Sequence, residues 1–210
     1  MQKFLMPFLL ICASLFSIGS SLRADAPTEG RAGRAELRYM QGMIDHHQMA
    51  LDMASDCLAN TQDAAMVALC EAIISAQSAE IAQMQQWLLA WYNVQYAPVS
   101  MLMPADDGMA GMDHSGHAGH SMPAAPATDP AMMMGMMAGL NRLEGVAYDI
   151  AWLESMVDHH DDAIHMSQRL LSRVPADAGH ADLLALAQKI IDDQTAETAL
   201  MEAMIAERAG

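Results

Sequence analysis

The sequence predicts an all-α fold: a four-helix bundle made of two duplicated helical hairpins, with a long Met/His-rich crossover between them. Three observations predict it. A Met-Asp-His-His motif occurs twice, apolar residues recur at helical spacing around both copies, and the segment joining the copies keeps no period.

Residues 1–26 read as an export leader. Lys3 precedes an apolar run from Phe4 to Ile18, and the small residues Gly19, Ser20, Ser21, Ala24 and Ala26 follow. That order matches a secretory signal peptide, and the run is shorter than the roughly 20 residues of a membrane span. Ile11-Cys12 lacks the small residue expected before a lipoprotein cysteine. Nothing later looks like a span, so the expected mature chain is periplasmic, with no membrane insertion after leader cleavage.

The first hairpin is assigned to residues 27–96. Leu37, Met40, Ile44, His47, Leu51, Ala54 and Leu58 keep the 3–4 spacing of a helix seam facing a core. Asn60-Thr61-Gln62-Asp63 is the turn, and a second helix runs from Ala64 to Tyr92. Cys57 and Cys70 flank this turn. In an oxidising compartment such a pair is expected as a disulfide ahead of a thiolate metal site.

Residues 97–140 form the crossover. This stretch is rich in Pro, Gly, Ala, Met and His, and it is too long for an ordinary bundle loop. Residues 141–210 form the second hairpin. Its seam is Ile150, Leu153, Val157, His160, Ile164, Ser167 and Leu171, its turn is Pro175–Gly179, and its last helix runs from His180 to Glu207. No segment alternates as a strand would.

The repeat ties the halves together. Met43-Ile44-Asp45-His46-His47-Gln48-Met49-Ala50-Leu51-Asp52-Met53-Ala54 returns as Met156-Val157-Asp158-His159-His160-Asp161-Asp162-Ala163-Ile164-His165-Met166-Ser167. Ile73-Ile74-x-x-Gln77-x-x-Glu80-x-x-x-Met84 likewise returns as Ile190-Ile191-x-x-Gln194-x-x-Glu197-x-x-x-Met201. A repeat of this kind marks an internal duplication.

Composition narrows the function. A formal net charge of −16 repels nucleic acid and anionic membrane and favours cations. Methionine is in excess, at 22 of 210 residues, while Phe, Tyr and Trp make only 5%. Some of that excess can be core packing. The crossover methionines cannot, because a polar, Gly-rich segment builds no core. Met109, Met112, His114, His117, His120 and Met122 cluster there, between Met101 and Met103 on one side and a run from Met132 to Met137 on the other. Thioethers suit Cu(I), imidazole suits both copper oxidation states, and the mixture favours copper over zinc or nickel.

In the bundle the candidate ligands are Met43, His46, His47, Met49 and Met53 in the first copy, with Met156, His159, His160 and Met166 in the second. The seam puts His47 and His160 inward, each on the face of the methionine four residues earlier. Adjacent helical residues point about 100° apart, so His46 and His159 are expected outward or on the flank, with Met49, Met53 and Met166. Methionines there would have no core to fill. Counting from the turns places Gln77, Glu80, Gln194 and Glu197 near the level of the inward histidines. A lone inward His or Gln is usually a satisfied core group; duplication of the whole set favours ligation. Asp45 and Asp158 either orient an imidazole or are solvated helix charges.

These motifs, with Gln77-x-x-Glu80-Ile81-x-x-Met84-x-x-Trp87-Leu88, resemble the domain of unknown function 305 family, exported helical proteins whose characterised kind binds copper. The resemblance covers about residues 33–95 and 145–206. It implies a ferritin-like form of the bundle and copper binding by Met and His in periplasmic copper tolerance. The expected function is a copper-binding protein that sequesters or shuttles copper, without turnover, for other periplasmic copper-handling proteins. The alternatives are a ferritin-like metal-dependent oxidase and a structural bundle without metal. The oxidase class needs Glu-x-x-His on two helices, where this chain has Glu80-x-x-Gln83 and Glu197-x-x-Leu200.

Overall fold

The computed structural model describes residues 26–98 and 139–210. Four long helices fill it: α1 (Gly30–Asn60), α2 (Ala64–Tyr92), α3 (Gly145–Arg173) and α4 (Ala181–Ala209), with one short 3-10 turn at Leu140–Arg142. There is no strand among the described residues. The leader and most of the crossover lie outside the described residues, including Met109, Met112, His114, His117, His120 and Met122.

Each helix end has a local cause. Asp63 caps α2, its carboxylate accepting from the backbone N–H of Ala65 and Met66 at 2.9 and 3.0 Å. Asn93 closes α2 in the left-handed region at φ 52°, and Val94 N–H then reaches the Leu88 carbonyl at 3.0 Å. The α1–α2 turn is clamped by a Cys57–Cys70 disulfide. At the turn joining α3 to α4, Gly179 comes so close to α1 that an added Cβ would lie 2.7 Å from Glu36 Oε1.

α1 packs on α2, α3 packs on α4, and the hairpins meet mainly through α1 against α3. The apolar core is split in two. One cluster joins Met49, Met53, Cys57, Met66 and Ile73 to Trp152, Leu153, Met156 and Met201. The other joins Tyr39, Met40, Met43, Ile44, Met84 and Leu88 to Leu170, Leu183 and Ile190. Because α1 and α3 run antiparallel, each cluster takes opposite halves of them. Between the clusters lie the residues that the repeat singles out.

Two orientations differ from those counted along the seam. His46 and His159 are not on the flank; they are buried like His47 and His160. Met49 and Met53 are buried too, and Met166 is half-buried against the second cluster, so these methionines do have a core to fill. The reason is that α1 and α3 each have two neighbours. One face serves the hairpin partner and a second serves the other hairpin, so the buried arc is wider than one seam. In α1 even Asp45 is covered, because Tyr96 folds back and its hydroxyl donates to the Asp45 carboxylate at 2.5 Å. Asp158, its repeat mate, is exposed in a surface groove with Arg142 and Glu154.

Among the described residues α2 is long and apolar enough to cross a membrane, by length and composition, although no such segment was expected beyond the leader. Its buried positions are divided between the two core clusters, Met66 and Ile73 in one and Met84 and Leu88 in the other.

Candidate metal centre

The site is a polar layer across the middle of the bundle, with one contribution from each helix. α1 supplies His46 and His47, α2 Gln77 and Glu80, α3 His159 and His160, and α4 Gln194 and Glu197. The two halves are built alike. His47 Nε2 donates to Glu80 Oε2 at 2.8 Å, and His160 Nε2 donates to Glu197 Oε2 at 2.7 Å. His47 and His160 thus face their own hairpin partners. His46 and His159 face each other, with ring centroids 3.7 Å apart and planes tilted by 38°. His159 Nε2 also donates to the backbone carbonyl of His46 at 3.0 Å.

This layer is under-satisfied. Nδ1 of His47, His159 and His160, both ring nitrogens of His46, both amide atoms of Gln77 and Oε1 of Gln194 are buried without a hydrogen-bond partner. An unpaired buried polar group typically costs about 1–3 kcal/mol, so a cluster of them needs a reason. The electrostatics follow from the burial. Desolvation, then the neighbouring His47 and His160, push the His46 imidazole down to about 3. Desolvation and the other three rings drive His159 well below the ordinary histidine range. Burial alone would raise Glu80, but the hydrogen bond and charge of His47, with Lys189 behind them, hold its carboxyl below the usual value. Neutral imidazole is the form that ligates a metal.

Thioethers border the layer on both sides. Met43 precedes His47 by one turn and Met84 follows Glu80 by one turn; both belong to the cluster on one side. Met156 and Met201, their repeat mates, belong to the cluster on the other side. One turn is about 5.4 Å of rise, so their backbones stand one helical level from those of the layer's His and Glu residues. Among the described residues no group of three or more His, Cys, Asp or Glu is arranged to hold an ion. That set leaves out methionine, and thioethers border the layer here.

Of the candidates named from sequence, the structure brings His46, His47, His159 and His160 together, with Met43 and Met156 alongside. Met49 and Met53 lie deeper in the first core cluster, where the Met53 carbonyl accepts from Trp152 Nε1–H at 2.9 Å. Glu80, Glu197, Gln77 and Gln194 belong to the site, and their signal was the Gln-x-x-Glu repeated in both halves. Lys189, which reaches Glu80 Oε1 at 3.3 Å, carried no such signal because it has no repeat mate.

A family model described as domain of unknown function (DUF305) matches residues 36–205. The chain belongs to the DUF305 family. No curated protein matches it. Among solved structures, the DUF305 chain is similar to CopM in the Cu(II)-bound form, with 23% identity and a TM-score of 0.57 over 82% of this chain and 96% of that one. CopM in the Cu(I)-bound form matches at 20% identity and a TM-score of 0.59, over 83% and 98%. A DUF305 protein from Streptomyces coelicolor, described as secreted, matches at 24% identity and a TM-score of 0.61, over 84% and 93%. At these identities the likeness is one of fold.

Proposed function

We propose that this DUF305 chain is an exported, periplasmic copper-binding protein that sequesters or shuttles copper as cargo, without turnover. The observation that carries this is the central layer itself: five buried imidazole nitrogens without partners, from four histidines of a duplicated motif, bordered by thioethers. Imidazole with thioether is a donor set that suits copper. CopM, which shares the fold, has been captured with Cu(I) and Cu(II). The oxidase alternative is disfavoured because Glu80-x-x-Gln83 and Glu197-x-x-Leu200 lack the histidine that the di-metal class carries there. The crossover ligands Met109, Met112, His114, His117, His120 and Met122 add a second, separate copper-binding element.

The test is metal analysis of the exported protein, followed by Cu(I) competition against a chromophoric chelator. His47→Ala and His160→Ala should weaken binding while helicity persists. Met43→Leu and Met156→Leu conserve volume and cost below about 1.5 kcal/mol in packing, yet should also weaken Cu(I) binding because the thioether is lost. Unchanged affinity in all four variants would confine copper to the crossover.

A further inference from the structure

We infer that Glu80 and Glu197 are positioning residues that present His47 and His160 to copper through Nδ1, so that the layer binds through Nδ1 rather than Nε2. This rests on the copper reading above and adds the ligating atoms and the groups that select them.

A carboxylate only accepts, so the 2.8 and 2.7 Å contacts require the proton on Nε2 of both rings. In a neutral imidazole the other nitrogen is then a bare lone pair. Nδ1 of His47 and of His160 is buried and without a partner. His159 repeats the pattern with a different acceptor: its Nε2–H is held by the His46 carbonyl, and its Nδ1 is buried and bare. Three rings on two helices are therefore tied by Nε2 and left open at Nδ1. Such an outer tie fixes ring orientation and raises ligand basicity. Burial agrees with this division of roles. The imidazoles are fully buried, while the side chains of Glu80 and Glu197 are 12% and 17% exposed, so the carboxylates hold the rings from the rim of the bundle.

The duplication also supplies an internal control. Lys189 binds the second oxygen of Glu80, at 3.3 Å, whereas the position matching Lys189 in the first copy is Ala72. The two halves share the tie but not its outer support. Lys189→Ala should therefore disturb His47 and leave His160 as it is.

The experiment uses the full exported chain, labelled with 15N, and long-range 1H–15N correlation of the histidine rings. Without metal, His47, His159 and His160 should give the Nε2–H tautomer. Adding Cu(I) should shift their Nδ1 resonances, a site-specific signal that the crossover ligands cannot mask. Outer-shell changes typically cost 10- to 100-fold in metal affinity. Glu80→Ala with Glu197→Ala should fall in that range, and the double Gln variant, which keeps a weaker acceptor, should lie between it and the wild type. An Nδ1–H tautomer in the metal-free wild type overturns the inference whatever the copper result. So does wild-type affinity of the layer, followed by the Nδ1 shifts, in the double Gln variant, which carries the test if the double Ala variant unfolds. If instead His47→Ala and His160→Ala leave Cu(I) binding unchanged while the tautomers are as stated, the layer is not the copper site, copper is confined to the crossover, and the positioning role toward copper fails.

Discussion

The rings of His46 and His159 lie 3.7 Å apart between centroids, their planes tilted by 38°, although 113 residues separate them in the chain. The contact joins equivalent positions of the two hairpins, and it puts two desolvated imidazoles against each other in the middle of the α1–α3 interface.

That contact makes the metal-free protein sensitive to acid. His46 titrates near 6.5 when unfolded and at about 3 when folded, and His159 is depressed as well. Between those values the unfolded chain binds more protons, so stability falls as pH drops from about 6.5 and is level above it. Glu80 adds to the loss at the acid end, because its carboxyl is also held low. Thermal melts of metal-free protein from pH 7 to pH 4 should show a falling midpoint. A flat midpoint would contradict the burial of neutral rings.

The same layer should trade stability for binding. Replacing both His46 and His159 by Leu removes three of the five unpartnered ring nitrogens and keeps an apolar, similar-sized contact. The double variant should unfold later than the wild type without metal, by about 1–3 kcal/mol, and should flatten the acid dependence. Its copper affinity should fall. Denaturant unfolding and the chelator competition check both outcomes.

The disulfide should matter to stability and not to the site. Cys57 and Cys70 close a loop of 13 residues beside the first core cluster, away from the histidine layer. Reduction should cost on the order of 3 kcal/mol in the loop-entropy model. Thiol titration of exported protein should find both cysteines blocked, and copper affinity should be the same before and after reduction.

A buried carboxylate ties the far end of the bundle. Glu36 accepts from the His180 backbone N–H and from His180 Nδ1, both at 2.7 Å, and from the Tyr92 hydroxyl at 2.5 Å. Trp91 stacks on the His180 ring at 3.7 Å, so α1, α2 and the start of α4 are joined at one point. Glu36→Ala leaves the buried His180 N–H without its acceptor and should cost about 1–3 kcal/mol. Calorimetry of the variant checks this, and the histidine ring signals of the central layer should stay unchanged if it stays folded.

Much of this protein was legible in its residues alone. The 3–4 spacing around Met40, Ile44 and His47, and its return around Leu153, Val157 and His160, determines four helices in two hairpins. The turn residues determine where they break, and α2 runs over the span expected for it. The repeated Gln-x-x-Glu places a polar level opposite the histidines. What one helix's periodicity cannot show is how many neighbours that helix has. A seam assumes one. α1 and α3 each have two, so only tertiary packing decided that His46 and His159 turn inward, that Met49 and Met53 fill a core, and that Tyr96 covers Asp45 while none of the described residues covers Asp158. Tautomer choice belongs to the same level, because the acceptor that holds Nε2 of His47, His159 and His160 comes in each case from another helix, brought there by burial of the two apolar clusters on either side.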